Sequence, residues 1–98
     1  MTIDDLYLTI AQDIVDAIDA QWSSAIVVFH REENAGEFEC VYKKDGSDNE
    51  YDFVVSYDAY QAFEDLHQIT TEQGHNIWNR AIFTLQPTGD FSINFESV

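Results

Sequence analysis

The chain has 98 residues, 45% hydrophobic and 14% aromatic, which is enough apolar side chain for one folded core and too much for a disordered segment. Nineteen acids against four bases leave a net charge of −15. That balance argues against binding nucleic acid or an anionic membrane surface and for basic partners, although solubility alone would account for the same charge.

The first predicted element is a helix from residue 2 to about residue 21. Ile3, Leu6, Tyr7, Ile10, Ile14, Ala17 and Ile18 form one apolar stripe at helical spacing. Thr2, Asp4 and Asp5 suit its positive end. Asp5, Gln12, Asp16 and Asp19 project opposite the stripe, Asp4 and Asp13 lie near its edges, and Leu8 sits among these carboxylates. Asp13, Asp16 and Asp19 are unusual in the second half of a helix, where the partial charge is negative and a cation is worth about 0.3–1 kcal/mol.

Three strand-like runs follow: "SAIVVFHR", "EFECVYKK" and "EYDFVVSY". Phe38, Cys40 and Tyr42 share one face, and so do Tyr51, Phe53 and Val55. The connecting "EENAG" and "DGSDN" have turn chemistry, so the set reads as an antiparallel meander. Cys40 is the only cysteine, which leaves no intramolecular disulfide and points to a small buried hydrophobe.

A second helix is expected from residue 58 to about 73. Ala59, Phe63, Leu66 and Thr70 line one side, Gln61, Glu64, Gln68 and Glu72 line the other, and Gly74 stops it. The last stretch, "WNRAIFTLQPTGDFSINFES", is a hairpin with Ala81, Phe83 and Leu85 alternating in one strand and Phe91, Ile93 and Phe95 in the other. The expectation is a single α+β domain over residues 1–98, ordered α-β-β-β-α-β-β, with two helices packed on one face of a five-stranded antiparallel sheet. No signal-peptide pattern and no apolar run of about 20 residues occurs, so the expected compartment is the cytoplasm.

The residues offer little catalytic chemistry. His30, His67 and His75 have no ligand spacing, and "DGSDNEYD" places Gly46 wrongly for a calcium loop. There is no GxSxG, no phosphate-binding glycine loop and no Cys–His pairing at motif spacing, so neither enzyme activity nor a metal or cofactor is expected. Trp78, Phe83, Phe91 and Phe95 read as core, with Gly89 as a turn.

"YDAYQAFEDLHQITTEQGHNIWNRAIFTLQPTGDFSINFE" resembles the YezG-like (EsaG-like) family of antitoxin and immunity proteins. Tyr57, Trp78, Phe83, Gly89, Phe91, Ile93 and Phe95 occupy the positions that carry the resemblance, and an acidic helix followed by Trp22 fits more loosely. The family commonly ends in an acidic, tyrosine-containing segment, whereas this chain reads "FESV". The resemblance implies a cytoplasmic inhibitor of a secreted or contact-delivered bacterial nuclease, DNase or RNase. Its carboxylates would cover the basic active-site cleft of that toxin, without direct contact to nucleic acid or membrane. Asp13, Asp16, Asp19, Glu64 and Asp65 are the expected partner-binding residues, because their segments hold no nearby Lys or Arg in sequence. The alternative is an acidic DNA mimic or regulatory module that sequesters a basic nucleic-acid-binding protein.

Overall fold

The computed structural model describes every residue except Met1, Asn34, Gln73, His75 and Asn76. Helix α1 spans Ile3–Ala17 and starts on a reciprocal cap. The Thr2 hydroxyl accepts from the Asp5 N–H, and the Asp5 carboxylate accepts from the Thr2 N–H. Those two bonds to Thr2 hold the Asp5 carboxyl below its ordinary range.

The helix ends earlier than its apolar spacing suggests. Ile18 turns extended (φ −97°, ψ 112°) yet stays in the core at 7% exposure. An inward side chain therefore continues the stripe after the helical backbone has stopped. Asp19 lies beyond the helix and not on its outward face, which corrects that part of the expected acidic surface.

The strands are β1 (Ser24–Glu32), β2 (Ala35–Lys43), β3 (Glu50–Asp52), β4 (Arg80–Leu85) and β5 (Phe91–Glu96), with helix α2 (Tyr57–Thr71) between β3 and β4. They form one antiparallel sheet in the order β3-β2-β1-β4-β5, so the hairpin joins the meander through β1. On the inner face the β1–β4 register sets large side chains opposite small ones: Ala25 against Leu85 and Phe29 against Ala81. Leu6, Ile10 and Ile14 of α1 and Ala62, Phe63 and Leu66 of α2 close over this face as a single core. Phe29 stacks on Phe63 at 5.1 Å, and Gly36 leaves room for it, since a Cβ there would stand 2.6 Å from the Phe29 ring.

Trp78 is a core residue, 3% exposed. Its indole N–H donates to the Thr70 hydroxyl at 2.8 Å, and its ring centroid lies 4.8 Å from those of Phe95 and His67. Gly74 follows α2 with φ +76°, as a helix stop requires, whereas Gln73, the expected last residue, lies outside the described residues.

Strand β3 is shorter than the run "EYDFVVSY". After one more bond, from the Phe53 N–H to the Cys40 carbonyl, residues 53–55 leave the sheet to carry Ser56 up to the helix layer. Among the described residues no helix is long and apolar enough to cross a membrane.

Candidate partner-binding face

The two helices run antiparallel, and one bond pattern fixes how they meet. Asp13 accepts from both the Ser56 backbone N–H (2.6 Å) and the Ser56 hydroxyl (2.8 Å). Ser56 is the N-cap of α2, and its hydroxyl in turn accepts from the Asp58 N–H. An acid late in α1 therefore faces the positive end of α2 rather than solvent alone. Asp13 is misplaced for its own helix and well placed for its neighbour.

Between the helices the outer surface carries a groove made of two adjoining hollows. One end is lined by Leu8, Thr9, Gln12, Asp13, Asp16 and Asp58. The other takes Leu6, Tyr57, Gln61, Ala62 and Asp65, and shares Thr9 and Asp58 with the first. Four carboxylates thus line the two hollows, and no Lys or Arg lines either among the described residues.

Two of the four have side-chain amides as local partners. Gln12 Nε2 donates to Asp16 at 2.9 Å, and Gln61 Nε2 donates to Asp65 at 3.0 Å, both one helical turn apart. A glutamine restricts the carboxylate rotamer without cancelling its charge. Leu8 and Tyr57 stand out of this acidic setting at 66% and 70% exposure, and the Tyr57 hydroxyl donates to Gln61 Oε1 at 3.1 Å.

The groove gathers Asp13, Asp16 and Asp65 of the expected partner-binding residues and leaves two aside. Asp19 lines neither end. Glu64 lies on the opposite flank of α2, where the Arg31 guanidinium donates to it at 2.6 Å. The expectation of an unneutralised carboxylate there is corrected: the base comes from β1, remote in sequence. Asp58 was missed as a groove residue. Its signal was present in the sequence, as an acid two residues after a capping serine at the start of a helix.

Outside the groove, two histidines and the cysteine are partly or largely buried. His67 Nε2 is 3.0 Å from the Trp78 carbonyl oxygen, and burial, with the nearby Arg31 charge, pushes its pKa below 6.5. His30 Nε2 is 3.5 Å from Glu39 Oε1 but outside hydrogen-bonding geometry. His75 lies outside the described residues. Burial raises the Cys40 thiol to about 11, so it stays protonated and unreactive at neutral pH. No group of three or more His, Cys, Asp or Glu side chains among the described residues is arranged to hold a metal ion. Neither a family model nor a curated protein matches the chain.

Proposed function

We propose that this protein is a cytoplasmic immunity protein, or antitoxin, that neutralises a bacterial toxin nuclease by stoichiometric occlusion of its basic active-site region. One observation carries the reading: the inter-helix groove holds Asp13, Asp16, Asp58 and Asp65, none of them in an ion pair among the described residues, beside an exposed tyrosine and leucine. A nuclease must present positive charge to phosphates, so an acidic groove complements the surface that such an enzyme cannot give up. Opposed charge speeds encounter and rejects acidic partners, and an exposed Tyr or Leu supplies apolar contact once the surfaces meet. The amide-held carboxylates reduce the ordering needed on binding. The resemblance of the segment from Tyr57 to Phe95 to antitoxin and immunity proteins supports the same partner class.

The test is to isolate the partner by pull-down with the purified protein and titrate the protein into a cleavage assay of that partner, on DNA and on RNA. Cleavage is expected to fall linearly to zero at one inhibitor per enzyme. Undiminished cleavage at molar excess of inhibitor would contradict the proposal.

A further inference from the structure

The two edges of the sheet are unlike. Strand β3 is three residues long, and Glu50 and Asp52 guard it with charge. Strand β5 is twice that length and carries neither Lys nor Pro, two usual means of blocking an edge, and its one charged residue is Glu96 at its end. At one end of β5 the Asp90 carbonyl accepts from the Gln86 N–H, and at the other the Glu96 carbonyl accepts from the Asn79 N–H. With the two-residue period of a strand, positions 90, 92, 94 and 96 address β4. Phe91, Ile93 and Phe95 therefore turn their N–H and C=O groups to the open edge.

We propose that a second copy of this chain occupies that edge, pairing β5 with β5 in antiparallel fashion about a two-fold axis at Ile93. The sequence of the strand is close to palindromic in kind: "FSINF" reads Phe, small polar, Ile, small polar, Phe from either end. Antiparallel self-pairing centred on Ile93 sets Ile93 on its own copy, Phe91 on Phe95, and Ser92 on Asn94. It satisfies six edge groups on each strand through six inter-strand bonds. The apolar row falls on the helix side of the sheet. There Phe91 is 44% exposed, and Ile77, Trp78, Ile93 and Phe95 line an open hollow.

Charge also selects this strip in a molecule of net charge −15. Glu96 is held by Arg80 at 2.5 Å, and in this register Asp90 of one copy lies opposite that neutralised pair in the other. The two sheets join into one of ten strands with all helices on one side. Six residues a side is well below the roughly 20–30 of a standard interface, so the dimer is weak, with Kd on the order of 10–100 µM.

Sedimentation velocity and amide exchange on the intact protein test this, from about 10 µM to about 1 mM protein and up to about 1 M NaCl. Dimer is expected to grow with concentration and also with salt, which screens the repulsion between two acidic bodies; nuclease capture has the opposite salt dependence. Exchange at the Phe91, Ile93 and Phe95 amides is expected to slow in proportion to dimer. Ile93→Pro removes an outward donor without touching the β4 ladder and is expected to weaken the dimer at least about tenfold. Phe91→Glu, at an exposed side chain, is expected to do the same through repulsion. A monomer under all these conditions, or a dimer whose β5 amides still exchange freely, overturns the proposal.

Discussion

On the flank of α2 that faces α1, Asp58 and Asp65 look over the groove, and among the described residues Asp65 is bonded only by the Gln61 amide. On the opposite flank Glu64 lies against Arg31, takes the Tyr60 hydroxyl as a second donor, and stands near His67. Both flanks are acidic by composition, yet only on the second is a carboxylate bonded to a base. Whether a carboxylate is available to a partner depends on what the fold lays beside it. Glu64 and Asp65 are adjacent in sequence, yet only Glu64 is bonded to Arg31; Asp65 lines the groove and also borders the hollow that Arg31 lines.

The contrast breaks most visibly at the core behind the second flank. Trp78→Ala is expected to destabilise the protein by about 3–5 kcal/mol, read as a fall in thermal midpoint, with inhibition falling only as the folded fraction falls. A variant that melts like the parent but no longer protects would make Trp78 a contact residue. Tyr57→Ala should show the converse. With 70% of the residue exposed, stability is expected to hold while affinity for the nuclease drops about 30-fold, or about 2 kcal/mol, as measured by surface plasmon resonance.

Glu64→Gln separates the flanks more gently. Loss of the partly exposed Arg31 pair is expected to lower stability by up to about 1 kcal/mol in denaturant titration, with association changed less than about twofold. The smallest effect concerns pH. His67 titrates below 6.5 in the folded state, so the unfolded chain binds the extra proton first as pH falls. Its contribution is complete above pH 6.5 and is lost as pH drops from there through the folded pKa. The thermal midpoint of the parent should decline across that window more than that of His67→Gln.

Element order and fold class were legible because each helix and strand carries its own periodicity. The helix end was not, since Ile18 keeps the apolar spacing on an extended backbone. The β3 boundary was hidden for a related reason. Phe53 and Val55 remain half-buried after leaving the sheet, so their alternation outlasts the pairing. In the candidate face, Asp16 and the exposed Leu8 follow from helical projection alone, and Asp65 from a segment without Lys or Arg. The pairing of Asp13 with Ser56 and of Arg31 with Glu64 joins residues 43 and 33 positions apart, which no local pattern encodes.

The groove as partner surface is tested most directly by stopped-flow association with the nuclease, using two charge-reversal pairs matched in net charge. Asp16→Lys with Asp65→Lys changes the groove; Asp19→Lys with Asp48→Lys changes the chain outside it. Each reversal moves the charge by two, so both pairs bring −15 to −11. At low salt the groove pair is expected to slow association about tenfold and the outer pair about two- to threefold, with the gap narrowing as salt shortens the Debye length from about 10 Å at 0.1 M to about 3 Å at 1 M. Equal slowing by the two pairs would mean that only total charge matters, and the groove would then be an ordinary solvated surface.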